Sequence, residues 1–437
     1  MRGWITMRKQ RAAIIASGLS LIAGSSDAWS NSTVSVERVS VGRDGRQAND
    51  TSEVFAISSS GEEVAFISGA DNLAPRDTNA QYDAFVRVRT AGDTERVSLG
   101  SRGRRADLGS FTVAISGNGR FVAFGSRATN LVPGDTNGEM DIFVHDRIKG
   151  RTERVNVGPG GQQANGSSYS VSISTTGRYV AFDSGASNLV PNGDHGGGVF
   201  VRDRVLGTTS LVSRARKGQK PDSFSFSPAI SANGRFVAFS SGATNLVAGD
   251  TNASNDIFVH DRWRGITRRV SVASDGREGD LESGARIAIS RDGRFVTFES
   301  VATNLVRNDR NDTSDIFLHD MLTSRTIKVS SGPGGVDANS GSYTPSISTD
   351  GRYIAFLSSA TNLTSGHTNG REEIYVFDRV KGKLRRIDVH LAVIPPDGGI
   401  NGLAISGDGG SLAFASSARN HVPHDTNGVP DVFVVGR

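Results

Sequence analysis

Apolar and polar positions alternate in short bursts, and the bursts return in the same order along nearly the whole chain. In one stretch FTVAIS (111–116) is apolar and rich in β-formers, and a Gly-Asn-Gly turn leads into RFVAFGS (120–126). A long polar loop separates these from DIFVHDR (141–147) and TERVNV (152–157). Period-two alternation predicts strands half buried against their neighbours, and the turn glycine supplies the positive φ of a tight hairpin.

The unit recurs. ISSSGEEVAF starts at Ile57, and its counterparts start at Ile115, Ile173, Ile230, Ile289, Ile347 and Ile405, at steps of 58, 58, 57, 59, 58 and 58 residues. Each copy holds four strand-like pieces except the last, which stops after DVFVV (431–435). TVSVERVSV (33–41) matches the missing fourth piece. The expected architecture is all-β: a seven-bladed β-propeller of four antiparallel strands per blade, with the N-terminal strand completing blade seven and removing the open sheet edge. Phe66, Phe124, Phe182, Phe239, Phe298, Phe356 and Phe414 share one repeat position; Phe85, Phe143, Phe200, Phe258, Phe317, Tyr375 and Phe433 share another. These rings read as packing.

The S-x-[DN]-G-R-[FY]-[VI]-A-F words, best seen in SGNGRFVAF (116–124), each followed by a strand such as DIFVHD (141–146), resemble the WD-like propeller repeats of TolB-like bacterial proteins. The resemblance covers residues 33–437 and implies an exported propeller. It also implies a Tol–Pal-like envelope role as one alternative, although TolB carries an α/β domain ahead of its propeller and none precedes these repeats.

Before the repeats, a basic start (Arg2, Arg8, Lys9, Arg11), an apolar run at 12–24 and small residues at Ser26 and Ala28 predict a signal peptide over 1–28, followed by one domain over 29–437. The mature protein is then expected in the periplasm or outside the cell. The chain is +4 overall, with 49 Lys and Arg against 45 Asp and Glu; removing four basic residues and Asp27 leaves +1. That balance gives no reason to expect a nucleic-acid partner, and no other run is apolar enough to span a membrane. The absence of cysteine excludes disulfides and thiolate chemistry. A monomer is expected.

Strand alternation puts the second-to-third-strand loops and the inter-blade links on one face, where the repeat spends its extra residues. The loops carry Asp-x-Asn-x-x-x-Asp as Asp77/Asn79/Asp83, Asp135/Asn137/Asp141, Asp250/Asn252/Asp256, Asp309/Asn311/Asp315 and Asp425/Asn427/Asp431. Alternating hard oxygens in one loop suit calcium; the same residues also make good turns, and the mid-loop glycine and closing glutamate of an EF-hand are missing. Both readings stand, with structural calcium as the one cofactor expectation. Blade three (Asn192, Asp194, Gly198) and blade six (His367, Asn369, Glu373) carry weakened versions. An upstream asparagine (Asn72, Asn130, Asn188, Asn245, Asn304, Asn362, Asn420) completes a site or pins the loop. Asn49, Asp107, Asn165, Asp222, Asp280 and Asn339 cap the links or ring the channel mouth.

Catalytic signals are sparse. His145, His260 and His319 fall at one repeat position, which argues for structure. His195 in DHGGG (194–198) resembles an esterase oxyanion loop, but no G-x-S-x-G elbow accompanies it, and the Gly-rich links lack a P-loop lysine. Residues that break the pattern are Phe224 and Phe226 on the loop face, Trp263 on the other face, and the link HLAVIPPDGG (390–399). The expected function is a non-catalytic scaffold binding a protein or an envelope polysaccharide through the loop-rich face. The alternatives are a metal-dependent glycan lyase or lactonase at the channel mouth, and the Tol–Pal component.

Overall fold

A computed structural model describes residues 29, 35–75, 77, 79–191, 197–365, 370–389 and 397–436. The signal peptide, His195 with Asn192 and Asp194, His367 with Asn369, and the link at 390–396 lie outside the described residues. Seven four-stranded antiparallel sheets follow one another in chain order. The first strand of each blade touches the first strands of the blades on either side, so these strands ring the central axis. The seventh sheet closes the ring as expected: Ser35–Arg38 pairs with Asp431–Gly436, from Ser35 opposite Gly436 to Arg38 opposite Phe433. Among the described residues no helix is long and apolar enough to cross a membrane.

The fourteen rings pair within blades. Phe124 and Phe143 stack at 5.8 Å and are fully buried, and the other six pairs repeat this at 5.4–5.9 Å. Each pair also packs on the neighbouring blade, as Phe124 and Phe143 do on Ala65, Ala84 and Val86. Burying one such side chain contributes about 1.5–3 kcal/mol, so aromatic pairs supply much of the force holding blade to blade.

The opposite, short-turn face is held by a second repeated device. Arg120 in the first hairpin turn grips Asp146 at the end of the third strand with two hydrogen bonds, of 2.9 and 2.7 Å. Arg178–Asp203, Arg235–Asp261, Arg294–Asp320 and Arg352–Asp378 repeat it. These arginines explain the G-R-[FY] word.

Phe143→Ala should cost about 3–5 kcal/mol in denaturant unfolding, whereas Phe111→Ala, which removes an aromatic 49% exposed on a first strand, should change stability by less than about 1 kcal/mol. Equal losses would mean that the buried pairs are not what holds the blades.

Candidate functional site

The five Asp-x-Asn-x-x-x-Asp loops share one arrangement. In blade two, Asp135 and Asp141 are both nearly inaccessible, and Arg154 of the outermost strand lies between them, 3.3 and 3.0 Å away. Arg96 takes this place between Asp77 and Asp83, at 2.6 and 3.0 Å. Arg38 lies 3.1 and 3.5 Å from Asp425 and Asp431. Blades four and five add a third carboxylate from the link. Arg269 is 3.4, 3.0 and 2.6 Å from Asp250, Asp256 and Glu278, and Lys328 is 3.1 and 3.3 Å from Asp309 and Asp315 and also pairs with Asp337.

The asparagine of each loop serves the turn and the link. Asn137 accepts the amide of Glu139 through Oδ1 at 3.1 Å, and its Nδ2 donates to the Ala164 carbonyl at 3.0 Å while facing Asp141 at 3.5 Å. Asn79, Asn252, Asn311 and Asn427 also donate to the link, at Ala106, Gly279, Ala338 and Ala48. The link replies, since Gln163 Nε2 donates to Asp135 at 3.0 Å and Gln47 to Asp425 at 2.8 Å. Each motif is thus a clasp that binds loop, outermost strand and inter-blade link. A calcium ion in this arrangement would have to displace the arginine or lysine and turn the carboxamide over, because an NH₂ group rather than an oxygen faces the carboxylates.

The two weakened blades differ from each other: blade three has lost both acid and cation, and blade six keeps one of each. Gly198 stands where the other blades have Asp or Glu, and Leu211 stands where they have a cation: Phe200 pairs with Leu211 in the register in which Phe143 pairs with Arg154. A Cβ on Gly198 would come within 2.9 Å of Leu211 Cδ1, so leucine fills the space of the lost pair. In blade six Tyr375 pairs with Arg386, whose charge opposes the upward pKa shift that burial gives Glu373. Among the described residues, Asp250, Asp256 and Glu278 form the one group of three acidic or histidine side chains close enough to share a metal, and Arg269 already contacts all three.

Two or three carboxylates against one cation leave surplus negative charge. Burial, with the second carboxylate adding to it, pushes Asp135, Asp250 and Asp309 up to about 6. The histidines shift the other way, and burial takes His260 and His319 down to about 4. Nδ1 of His145, His260 and His319 lies 2.8, 3.0 and 2.9 Å from the hydroxyl of Thr152, Thr267 and Thr326, so these rings sit in strand packing.

The upstream asparagines pin the links. Asn130 accepts the Asp107 amide at 3.2 Å and donates to the Arg105 carbonyl at 2.9 Å, and Asn72, Asn188, Asn245, Asn304 and Asn362 repeat both bonds. The link residues act as caps: Asp107, Asp222 and Asp280 accept both the amide and hydroxyl of Thr129, Thr244 and Thr303, while Asn49, Asn165 and Asn339 accept the amides of Asp71, Ser187 and Thr361.

Sequence reasoning missed two sets of residues. One is the clasp cations, although the signal was present: Arg154, Arg269 and Lys328 each follow the last aspartate of their motif by 13 residues. The other is a set of aromatics at the second position of the first strands, of which the sequence singles out only Phe226. The strand-opening serines sit at the loop-rich end: the Ser110, Ser168 and Ser342 amides bond to the Tyr82, Met140 and Ser314 carbonyls, where the second-to-third-strand loops end. The residues that follow, Phe111, Tyr169 and Tyr343, are 49, 54 and 39% exposed, and Phe226 is half-buried at the same position. Tyr82 and Phe224 add rings 39 and 65% exposed from the flanking segments. Three of these rings lie against glycine. A Cβ at Gly109 would approach Phe111 to 3.3 Å, one at Gly341 would meet the Tyr343 hydroxyl at 2.0 Å, and one at Gly197 would meet Phe224 at 2.4 Å. Trp263 is exposed on the short-turn face beneath Arg235, whose Cζ is 4.9 Å from the ring.

No protein-family model and no curated protein matches the chain. The fold does match solved structures. Oligogalacturonate lyase from Vibrio parahaemolyticus aligns at 12% identity and TM-score 0.52, covering 93% of this chain and 97% of that one. An oligogalacturonate lyase in complex with manganese aligns at 13% and 0.52, covering 92 and 96%. A putative TolB from Agrobacterium tumefaciens aligns at 14% identity and TM-score 0.40, covering 79 and 94%. The structural neighbours include TolB proteins. At these identities the likeness is one of fold, a seven-bladed propeller, and such a fold hosts unrelated functions.

Arg154→Leu, which leaves Asp135 and Asp141 uncompensated, should cost about 3–5 kcal/mol, and adding Asp141→Gly to copy blade three should recover much of the loss. Melting in EDTA and in millimolar calcium should coincide; a calcium-specific rise that disappears in Asp135→Asn would make the clasp a metal site instead.

The shifted groups also set a pH dependence. Raised aspartates make the folded state bind more protons than the unfolded chain between pH 3.8 and about 6, so their contribution is lost as pH rises through that window. Depressed histidines do the reverse, and theirs is lost as pH falls from 6.5 to about 4. Relative to the wild type, His319→Gln should therefore gain thermal stability as pH falls across 6.5 to 4, and Asp250→Asn should lose it below pH 6. Parallel melting curves at all pH values would contradict both assignments.

Proposed function

We propose that this chain is an exported, non-catalytic, monomeric propeller that binds a glycan, such as an envelope polysaccharide, on its loop-rich face. The observation that carries this reading is the set of exposed rings at the channel mouth, Phe111, Tyr169 and Tyr343 with Tyr82 and Phe224, of which three are seated on glycine backbone. A ring fixed before binding loses little side-chain entropy on contact. Its electron-rich face suits the C–H-lined face of a pyranose ring. Several such rings around one mouth suit an extended chain better than a single small molecule. Export rests on residues 1–28, and Trp29, directly after the expected cleavage point, is already packed into the fold, with its indole N–H bonded to the Gly409 carbonyl at 3.1 Å.

Glycan lyase chemistry is the second reading, favoured only by the fold shared with oligogalacturonate lyases. The two separate in one experiment. Residues 29–437 are incubated with envelope polysaccharide, with and without manganese, and both retention and chain length are followed. Binding with unchanged chain length is expected, and the Phe111→Ala/Tyr169→Ala/Tyr343→Ala variant should bind at least about tenfold more weakly. Shortened product would establish the enzyme, and full binding by the triple variant would remove the mouth from consideration. A Tol–Pal role predicts instead that peptidoglycan-associated lipoprotein co-purifies from envelope extract.

A further inference from the structure

The link from blade three to blade four is as long as the others but does not follow their path. In five links a turn closes with one amide-to-carbonyl bond: Gly42 to Arg46, Gly100 to Arg104, Gly158 to Gln162, Ala273 to Arg277 and Gly332 to Val336. The same five then bridge back to themselves, as Val41 does to Gln47 and Val157 to Gln163. The corresponding residues Ala215 and Gln219 do not make this bond; the Arg216 amide bonds to the Asn245 carbonyl at 3.0 Å instead.

The sequence departs from the repeat in the same link. Ala48, Ala106 and Gly279 donate their amides to Ser40, Ser98 and Ser271 at 3.0, 3.4 and 3.1 Å, and the residue in their place here is Pro221, which has no N–H to give. Ala215 replaces a glycine where a Cβ in other links would press on a carbonyl, at 2.9 Å for Gly100 and 2.2 Å for Gly158. Ala273 keeps its turn, so the methyl alone is tolerated, and the links through Ala164 and Ala338 keep theirs without that amide bond, so the missing N–H alone is tolerated as well; the departing link combines both changes. Blade three also lacks the clasp that holds the five regular links, since Gly198 and Leu211 replace its ion pair. The link stays anchored at its far end, where the Thr244 amide bonds to Asp222 at 2.8 Å.

The displaced link borders a cleft of about 810 Å³ at the rim between blades three and four. That is within the range of small-molecule sites. Its wall carries Arg214, Arg216, Lys217 and Gln219, all exposed, with Thr267 and His260 opposite. Arg214 stands where Val41 and Val157 are buried, and its Nε bonds only to the backbone carbonyl of Leu211, at 2.9 Å. Among the described residues no carboxylate pairs with Arg214, Arg216 or Lys217, whereas the cations that reach the other clasps each meet two or three carboxylates. Thr94, Thr209 and Thr326 each donate to a link carbonyl, at 2.6, 2.6 and 2.5 Å, whereas Thr267 bonds only to His260.

We propose that this cleft is a binding site for an oxyanion-bearing ligand, a sulfate, phosphate or carboxylate group carried on a body of one or two sugar rings. Three cations on one short link supply the charge-assisted donors such a group needs, and the volume exceeds what a bare anion fills. The site lies at the rim and is independent of the aromatic mouth.

Isothermal titration of residues 29–437 with a sulfated disaccharide, its unsulfated parent and inorganic phosphate tests this. The sulfated sugar should bind at least tenfold more tightly than its parent, with affinity falling as salt is raised. Phosphate binding as tightly as the sulfated sugar would keep the oxyanion and remove the sugar from the description. Arg214→Gln with Arg216→Gln and Lys217→Gln should weaken binding at least tenfold. Full binding by this variant, or equal binding of the two disaccharides, overturns the proposal. The Phe111/Tyr169/Tyr343 alanine variant should bind the sulfated disaccharide normally, so failure of the mouth and failure of the cleft are read separately.

Discussion

A single buried cation, held between two aspartates and reached by the inter-blade link, sets the geometry of the loop-rich face. Moving three charges out of water is costly, and the attraction between them recovers the cost only when geometry is good and the remaining lone pairs are satisfied. Here the remaining groups are backbone and side chains of the link itself, so the ion pair cannot form with the link in another place. Such clusters are weak sources of stability but strong sources of register. Burial, with the surplus carboxylate adding to it, pushes Asp135, Asp250 and Asp309 up to about 6, and that shift is the residue of this compromise.

The short-turn face follows the opposite logic. Its arginine–aspartate pairs lie partly in water, and Asp146, Asp261 and Asp320 are held below the usual carboxylate range chiefly by Arg120, Arg235 and Arg294. A second set of arginines stacks across blade boundaries, with Arg204 over Phe121, Arg262 over Tyr179 and Arg379 over Phe295 at 4.5, 4.7 and 4.0 Å. With the arginine–aspartate pair repeated in blades two to six, these contacts make most of that face a uniform girdle. Variation gathers on the other face, where the chain has the loops to vary.

How much of this is legible in the sequence depends on the range of each interaction. Strand, hairpin and closure are readable because alternation and turn glycines are local and the missing fourth strand of the last repeat has a visible counterpart in TVSVERVSV. The Asp-x-Asn-x-x-x-Asp words are equally visible, yet their chemistry is decided by a cation on another strand and by a carbonyl of the following link, such as Arg154 and Ala164 for the Asp135 motif. The letters alone show neither that cation nor that carbonyl. Phe111, Tyr169 and Tyr343 are hidden for a different reason: in the string of letters they look like any strand aromatic, and only their place on the ring of first strands makes them exposed.

Redundancy is what permits the departures. A ring of seven similar interfaces, closed by strand exchange at its ends, does not depend on any one clasp, so blade three can replace Asp and Arg by Gly198 and Leu211 and keep its four paired strands. Leucine in place of the ion pair removes a desolvation cost rather than leaving an orphan charge, which is why the loss is tolerable. The constraint it lifts is positional. Without the clasp, and with Ala215 and Pro221 in the link, the chain takes a different path there, and the basic residues that ride on it face a cleft instead of a carboxylate. The same substitution thus lets one blade remain structural while its border becomes a surface that can be specialised.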